Sequence, residues 1–433
     1  MRRLLVLGAG TAGTMVVNKL RPRLPRDEWE ITIVDQSETH HYQPGYLFVP
    51  FGTYEPEEIV KPRKRLIKHG IRQVTGVIEE VVADDRVVRL ADGTELPYDQ
   101  LVIATGTHPN PDETPGLAEP EAKERGVHSF YTLEDAVALR DAMERFDGGR
   151  LVVNLVDLPI KCPVAPLEFA FLAEAWLHER GLRDRTELTY VTPLDGAFTK
   201  PLAARELGGM FDERGIGLEA DFMLERVDLE TRQLVSYDER EVPFDLLVTV
   251  PLNMGAGFVA RSGFGDELNH VKVDKHTFLA DGHDDIFAIG DAANLPTSKA
   301  GSVAHFAVDV FVDNFVRHID GLPMQERFDG HANCFIESGH GKAMLLDFNY
   351  DTEPLTGSFP LPEVGPFRLL GENEANHLGK LAFRWVYWHL LLPGRPLPLA
   401  TSMSMLGKHR PPAPTGDGNG SSSSPRDLQE VSL

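Results

Sequence analysis

The chain has 433 residues, 42% of them hydrophobic, which is enough to bury a large core in two or three subdomains. Its formal charge of −23 argues against nonspecific binding to nucleic acid or anionic lipid, because both are polyanions. Two cysteines, Cys162 and Cys334, are too few for a secreted disulfide scaffold, so they are either buried thiols or a redox pair. No apolar run is long enough to predict an export signal or a membrane-spanning helix.

The first motif along the chain is a glycine-rich loop, GAGTAG at Gly8–Gly13. It follows a predicted strand and opens a predicted helix. Gly8, Gly10 and Gly13 can therefore form a tight turn whose backbone N–H groups approach a pyrophosphate. The next predicted strand ends in Asp35, whose carboxylate can accept hydrogen bonds from ribose hydroxyl groups. This order predicts a dinucleotide site at the start of the chain.

Two later segments indicate which dinucleotide binds. One predicted strand ends in Thr105-Gly106, and a later strand delivers Gly290-Asp291 to a turn before a helix that begins near Lys299. Taken alone, Asp291 is equally well explained as a helix N-cap. In this order behind the glycine loop, the segments resemble the flavoprotein pattern of the pyridine nucleotide–disulfide oxidoreductase superfamily. The resemblance implies FAD, held by the glycine loop, Asp35, Thr105, Gly106, Gly290, Asp291 and Lys299.

The middle of the chain repeats the strand–helix pattern but has no second glycine loop. A predicted strand, Leu151–Leu155, leads through a proline-rich turn containing Cys162 to an apolar helix from about Pro166. After it come a predicted strand (Thr186–Thr192), a helix (Pro201–Arg214), an edge hairpin over residues 234–242 and a strand (Phe244–Val250). Because it lacks a glycine loop and an acidic residue at the second strand's end, this Rossmann-like unit is predicted not to bind NAD(P)H.

At a finer level the chain resembles the sulfide:quinone oxidoreductases and the related flavin subunit of flavocytochrome c sulfide dehydrogenase. The resemblance spans roughly residues 1–400. It rests on the glycine loop, Tyr42–Gly45, Lys161–Pro166, Gly290-Asp291, the segment from Cys334 to Tyr350 and the segment from His377 to Trp385. Many members carry a third cysteine that is absent here from Glu113–Ser129. The FAD is therefore predicted to be noncovalent.

The resemblance also implies roles for individual residues. Cys162 and Cys334 would converge at the flavin as a redox pair that oxidises sulfide to polysulfide or sulfur. The family pattern favours Cys334 as the cysteine facing the flavin, and thiolate character would come from Lys161 or a helix N-terminus. Lys380 would lie near the flavin and a membrane quinone, and Phe383 would pack on the quinone ring. No metal site is predicted.

The segment Gly371–Leu392 predicts a membrane-contact helix. It is apolar on nearly every face beyond Leu378 and carries Trp385, Tyr387 and Trp388, which suit a lipid headgroup boundary. The alternative is a buried helix under the flavin domain or at a dimer interface. A quinone-reducing enzyme docked by this segment would be peripheral, on the cytoplasmic side of the inner or plasma membrane.

Together these patterns predict an α/β protein with two Rossmann-like dinucleotide-binding subdomains, the second degenerate for NAD, and a C-terminal α+β region with an amphipathic membrane-contact helix. The predicted boundaries are 1–110 with 275–325 for FAD, 111–274 for the second subdomain, 326–407 for the quinone and membrane region, and 408–433 for a disordered tail. The alternatives are a type II NADH:quinone dehydrogenase-like enzyme, a flavocytochrome c sulfide dehydrogenase-like flavoprotein and a non-catalytic flavin-binding membrane-docking protein. Whether the chain forms a homo-oligomer is left open.

Overall fold

The computed structural model describes residues 1–397 and 400–410. Residues 1–110 form β1 (Arg2–Leu7), α1 (Thr11–Leu20), β2 (Trp29–Asp35), β3 (Thr39–His41), β4 (Val60–Pro62), β5 (Arg72–Thr75), β6 (Ile78–Val82), β7 (Val87–Leu90), β8 (Glu95–Pro97), β9 (Gln100–Ile103) and β10 (Thr107–Pro109). Residues 111–274 form β11 (Val127–His128), α2 (Leu133–Arg145), β12 (Gly149–Leu155), α3 (Ala165–Glu179), β13 (Thr186–Val191), α4 (Pro201–Arg214), β14 (Gly217–Glu219), β15 (Leu224–Asp228), β16 (Gln233–Ser236), β17 (Glu241–Pro243), β18 (Leu246–Val250), β19 (Asn253–Gly255) and α5 (Gly257–Arg261). The later residues form β20 (Ile286–Ala288), α6 (Gly301–Ile319), β21 (Ala332–Gly339), β22 (Lys342–Phe348), β23 (Thr356–Phe359), β24 (Phe367–Leu369), β25 (Glu372–Asn373), α7 (Glu374–Val386) and β26 (Lys408–His409).

The first sheet has the order β20-β9-β1-β2-β5, and its neighbouring strands are all parallel. Leu4, Leu5, Val6 and Leu7 of β1 are buried, as expected for a strand covered on both faces. Because the strands run in one direction, the residues at their carboxyl ends lie at one edge of the sheet. The glycine loop after β1, the end of β2 and the turn after β20 therefore meet there.

The second sheet, β11-β18-β12-β13-β14, is also parallel, so the predicted α/β class with two Rossmann-like units is confirmed. The helix predicted over Pro201–Arg214 has those bounds. The predicted hairpin is part of a three-stranded sheet, β15-β16-β17. The strand predicted from Phe244 starts later, at Leu246, because the Phe244 N–H donates to the Arg232 carbonyl outside the parallel sheet.

The third sheet has the order β21-β22-β24-β23-β26, and β25 also pairs with β22. Helix α3 packs against β21, and α7 packs against β22. Cys162 precedes α3 and Cys334 lies on β21, so the packing of α3 on β21 brings the two cysteine-bearing segments together.

The predicted membrane-contact segment is divided in the structure. Its first residues form β25, α7 ends at Val386, and Tyr387–Leu391 continue as a π-helical turn. Trp385 is 58% exposed, but Trp388 is only 6% exposed and its ring contacts Tyr42. The prediction that Tyr387 and Trp388 lie at a lipid headgroup boundary is therefore wrong, because the π-helical turn packs both rings onto Tyr42 after β3.

Within the described residues, no helix is long and apolar enough to cross a membrane. The first two residues of the predicted tail, Lys408 and His409, form β26, which pairs with β23. Residues 411–433 of that tail lie outside the described residues.

Candidate active site

The glycine loop allows the backbone to pack without side chains. Gly8 has a φ of +93°, and a Cβ there would lie 2.5 Å from the Ala104 carbonyl oxygen. A Cβ at Gly13 would overlap the Gly8 carbonyl oxygen, so α1 can approach β1 only because Gly13 has no side chain. A Cβ at Gly10 would project into open space. The loop thus leaves room at Gly10 for a phosphate, as the dinucleotide prediction requires.

Asp35 is bonded to this loop. Its Oδ2 accepts a hydrogen bond from the Ala9 N–H at 2.7 Å, and its Oδ1 accepts one from the Ser37 N–H at 2.8 Å. Each carboxylate oxygen can accept a second hydrogen bond. Asp35 can therefore fix the loop and still bind a ribose hydroxyl group.

A deep pocket lies between the two Rossmann-like units and α7. Most of the predicted site residues are in its wall: Gly10, Thr105, Gly106, Gly290, Asp291, Lys299, Cys162, Lys380 and Phe383. Gly8, Asp35 and Thr105 line an adjoining pocket that also contains Lys161. The structure therefore gathers the proposed cofactor loop, one cysteine and the proposed quinone residues around continuous space.

The polar groups in this wall fit FAD. The hydroxyl oxygens of Thr105 and Thr107 are buried and have no hydrogen-bond partner among the described residues. Burial also raises the pKa of Asp291, although the charges of Lys299 and Lys161 lower it. Buried polar atoms without protein partners are normally satisfied by something else. The phosphates and ribityl hydroxyls of FAD would satisfy them.

The turn that carries Cys162 is held in an unusual conformation. Cys162 has a φ of +51°, and its N–H donates to the Lys299 carbonyl at 2.6 Å. Its own carbonyl accepts from the Ala165 N–H at 2.8 Å, and the Tyr131 hydroxyl donates to the preceding carbonyl at 2.7 Å. A non-glycine residue keeps a positive φ only where its surroundings determine it. The cysteine is thus fixed relative to both α3 and the segment before α6.

Cys162 and Cys334 are free thiols with shared surroundings. The charges of Glu168 and Lys380 affect the pKa of each thiol, and Cys334 raises the pKa of Cys162. Such influence falls with distance, so both sulfurs belong to one buried site. The family pattern favours Cys334 as the flavin-facing sulfur, whereas the cysteine in the described pocket wall is Cys162.

Both cysteines are neutral thiols near pH 7. Burial raises the pKa of Cys162, and the Glu168 charge raises it further. Burial raises the pKa of Cys334 to about 11. Of the two predicted sources of thiolate character, the N–H of Val164 at the start of α3 does lower the pKa of Cys162. The Lys380 ammonium, which the resemblance places near the quinone, also lowers the pKa of Cys162.

The sequence-based prediction missed Glu168, the buried partner of Lys380. Glu168 is 1% exposed; its carboxylate accepts hydrogen bonds from the Lys380 ammonium and, at 2.7 Å, from the Glu337 N–H. Lys380 also donates to the Phe335 carbonyl at 3.0 Å. A glutamate inside the apolar run LEFAFLAEAWL was the available signal, because a buried charge is costly without a partner.

Lys380 faces a second buried carboxylate, that of Glu337. Burial lowers the pKa of Lys380, but the charges of Glu168 and Glu337 outweigh burial and raise it. Glu337 in turn contacts His377 Nδ1 at 2.9 Å. Lys380 therefore carries a proton at neutral pH, and the Glu337 carboxylate beside it leads to His377.

Lys161 lies on another side of the pocket. Its Nζ donates to Gln43 Oε1 at 3.0 Å. Burial lowers the pKa of Lys161 to about 8, although the Asp291 charge raises it. Lys161 is thus a cation below about pH 8, and it adjoins Cys162 both in sequence and in the pocket wall.

The residues after α7 contact the glycine loop. The Tyr387 hydroxyl lies 2.8 Å from Thr11 Oγ1 and 2.6 Å from His40 Nε2. Phe383, one turn earlier, lines the same pocket. The C-terminal helix therefore forms one side of the pocket and is anchored to the loop proposed to hold the cofactor.

Comparison with known proteins agrees with this geometry. A family profile described as pyridine nucleotide-disulphide oxidoreductase matches residues 2–154. The mitochondrial sulfide:quinone oxidoreductase of Dictyostelium discoideum is 27% identical over 399 residues, which cover 91% of this chain and 86% of that protein. The chain is a relative of the sulfide:quinone oxidoreductases. It is therefore an oxidoreductase and a flavoprotein.

The fold is similar to that of a solved sulfide:quinone oxidoreductase, and a shorter part of the chain is similar to another class of quinone reductase. The X-ray structure of the Aquifex aeolicus sulfide:quinone oxidoreductase superposes on this chain with a TM-score of 0.76 at 20% sequence identity. The match covers 91% of this chain and 92% of the Aquifex aeolicus chain. The type II NADH:quinone oxidoreductase of Staphylococcus haemolyticus is 33% identical over 108 residues, covering 24% of this chain and 26% of that protein. The similarity to the mitochondrial enzyme extends over far more of the chain.

We expect Gly13→Ala to destabilise this oxidoreductase relative by about 3 kcal/mol or more, because the added methyl overlaps the Gly8 carbonyl. Thermal unfolding of the FAD-free protein measures this effect without the cofactor. Gly10→Ala is the matched control, because Gly10 has open space and a φ of −72°. Equal unfolding temperatures for the two variants would contradict the proposed close packing.

Proposed function

We propose that this protein oxidises sulfide to polysulfide or sulfur with FAD as cofactor and passes the electrons to a membrane quinone. The observation that carries the proposal is the shared surroundings of Cys162 and Cys334. They come from distant segments, yet the same Glu168–Lys380 pair acts on both of them beside the pocket. The mitochondrial relative from Dictyostelium discoideum is named as an oxidoreductase that acts on sulfide and quinone.

The sulfur chemistry balances on two cysteines. Starting from a Cys162–Cys334 disulfide, HS⁻ attacks one sulfur and makes it a persulfide, while the other cysteine leaves as a thiolate. An S–S bond between that thiolate and the persulfide's outer sulfur then closes a three-sulfur bridge; the S–H bond is lost as a proton, and the step is a two-electron oxidation that needs an acceptor. FAD, when bound, would supply the acceptor for these two electrons and the donor to the quinone. A later HS⁻ can release the extra sulfur as HS₂⁻ and restore the disulfide.

The protein's own charges support this cycle. Both thiols have raised pKa values, so a free thiolate is costly without a nearby cation. The Lys380 ammonium lowers the pKa of both cysteines and therefore stabilises the thiolate that leaves. Because the chain has two cysteines and both belong to this pair, we infer that the FAD is bound noncovalently.

The quinone is proposed to enter on the α7 side of the pocket. Phe383 offers a ring against which a quinone can stack, and Lys380 offers a proton to a quinone oxygen. Type II NADH dehydrogenase-like activity is the second candidate because of the similarity over 108 residues. Its nicotinamide would need a glycine loop where this chain has the proline-rich turn with Cys162.

Anaerobic titration of the purified yellow protein tests the function. We expect sulfide to bleach the flavin and a short-chain quinone to restore its absorbance, whereas millimolar NADH should reduce the flavin far more slowly. If NADH supported faster quinone reduction than sulfide did, the type II NADH dehydrogenase-like function would replace this proposal.

The cysteine variants are part of the same test. Cys162→Ser and Cys334→Ser should each retain FAD, because neither residue belongs to the glycine loop. Sulfide-dependent flavin reduction should fall by about 10³-fold or more in both, as expected when one member of a covalent relay is removed. Reduction at the wild-type rate in both variants would refute the redox pair.

Lys161 should make sulfide oxidation pH-dependent. Its pKa of about 8 means that it is a cation below that pH and neutral above it, so its attraction for HS⁻ is lost as the pH rises. We expect the second-order rate constant for flavin reduction, expressed per HS⁻, to fall above about pH 8. Lys161→Gln should be slower below that pH and lack the fall, while Lys161→Arg should keep a high rate to higher pH. A pH profile in Lys161→Gln that matches the wild type would argue against this role.

We also propose that the C-terminal region docks peripherally on the cytoplasmic side of the inner or plasma membrane. The region has several exposed apolar side chains. They are Leu361 and Val364 between β23 and β24, Leu378 and Trp385 on α7, and Met405 and Leu406 before β26. Leu378 and Trp385 are seven residues apart on α7, which places them on one face of the helix. Such a surface suits the apolar phase that delivers a quinone.

Replacing Leu378 and Trp385 together with glutamine should release the protein from phosphatidylcholine vesicles and slow quinone reduction. Sulfide-dependent flavin reduction should be unchanged, because neither residue lines the pocket. On vesicles that also contain an anionic lipid, binding should be insensitive to salt or strengthened by it, because the net charge of −23 opposes attachment. Tyr237→Gln, which replaces an exposed apolar side chain beyond β16, is the control and should still bind. Vesicle flotation measures attachment, and undiminished flotation of the double variant would contradict the docking surface.

A further inference from the structure

The groups around Lys380 extend to the protein surface. Glu337 is 1% exposed and contacts His377 Nδ1 at 2.9 Å, while the His377 side chain is 25% exposed. His377 and Lys380 lie three residues apart on α7, so they project from the same face of the helix. Lys380 lines the pocket. A series of proton-exchanging side chains therefore runs from solvent to the site proposed for the quinone.

We propose that His377 admits the proton that quinone reduction takes from water and passes it through Glu337 to Lys380. The inference rests on the proposed quinone reduction. HS⁻ supplies two electrons and one proton when its sulfur is oxidised from oxidation state −2 to 0. Forming QH₂ from the quinone takes two electrons and two protons, so each turnover consumes one proton from solution.

The first transfer has its donor and acceptor in contact, and the second needs a small movement or one water molecule. His377 binds a solvent proton at Nε2 and gives its Nδ1 proton to the Glu337 carboxylate that it contacts. After Lys380 has given its proton to the quinone, the neutral amine accepts the proton from Glu337. The Glu337 backbone N–H and the Lys380 ammonium both donate to Glu168 Oε1, which places these two residues side by side. Rotation of either side chain, or one water molecule, completes the contact.

The protein contains a matched arrangement outside the pocket wall. Glu174, on α3, is 2% exposed and bonds to His178 Nε2 at 2.9 Å and His340 Nε2 at 2.8 Å. It pairs a buried carboxylate with partly exposed histidines, as Glu337 does, but none of these three residues lines the pocket. His178→Gln is therefore a control for the loss of a histidine bonded to a buried glutamate.

The test isolates the quinone step. The holoenzyme is reduced with dithionite, mixed rapidly with a short-chain quinone, and followed by flavin absorbance. We expect His377→Gln to slow reoxidation by about tenfold or more, and millimolar imidazole to restore much of the rate by replacing the lost proton carrier. Glu337→Gln should also be slow, but imidazole should not restore it, because the next acceptor is missing. His178→Gln should reoxidise at the wild-type rate.

A wild-type reoxidation rate in His377→Gln would overturn the inference, and so would a slowing that imidazole does not relieve. If His377→Gln fails to hold FAD, a normal reoxidation rate in Glu337→Gln would overturn it instead. The ring-nitrogen NMR signals of His377 should shift in Glu337→Gln, which tests their contact independently of activity. Because dithionite replaces sulfide, a protein that ignores sulfide but shows these results would refute the sulfide reaction and leave the proton route standing.

Discussion

Glu168 accepts one hydrogen bond from the Glu337 backbone N–H and another from the Lys380 ammonium. One buried carboxylate thereby fastens β21 and α7 to α3, the elements that carry the proposed sulfur and quinone chemistry. Breaking a buried ion pair by removing one partner typically costs about 3–5 kcal/mol, because it leaves an uncompensated charge. The positions of Cys162 and Cys334 beside the pocket therefore depend on this pair.

The pocket is locally cationic although the chain has a net charge of −23. Lys161, Lys299 and Lys380 line its wall, while Glu168 and Asp291 are the acidic residues among them. The proposed ligands are anionic, since HS⁻ and the phosphates of FAD carry negative charge. Concentrating lysines in a recessed site attracts these anions against the repulsion of the whole protein. Burial in the same site raises the pKa of each thiol, which makes a thiolate unfavourable there. The Lys380 charge lowers both pKa values and so partly offsets the effect of burial.

A hydrogen-bonded link joins the cofactor loop to the quinone side of the pocket. Burial lowers the pKa of His40 to about 4, so its ring is neutral. Its Nδ1 lies 3.0 Å from the Ala9 carbonyl oxygen and donates to it, which leaves Nε2 to accept from the Tyr387 hydroxyl. Tyr387 can then accept from Thr11. These hydrogen bonds therefore fix the glycine loop and the end of α7 relative to each other. A cofactor bound at the loop would then lie against the helix that carries Phe383 and Lys380.

The features that depend on local backbone geometry can be predicted from the amino-acid sequence alone. The glycine loop and the helix Pro201–Arg214 follow from small residues and apolar spacing, which act over a few positions. The fold class follows from their order. The burial of Trp388 and the pairing of Lys380 with Glu168 become visible only in the folded chain. Lys380 and Glu168 lie 212 positions apart in the sequence. The partner of a buried charge depends on which distant segments pack together in the core, and a local sequence pattern does not contain that information.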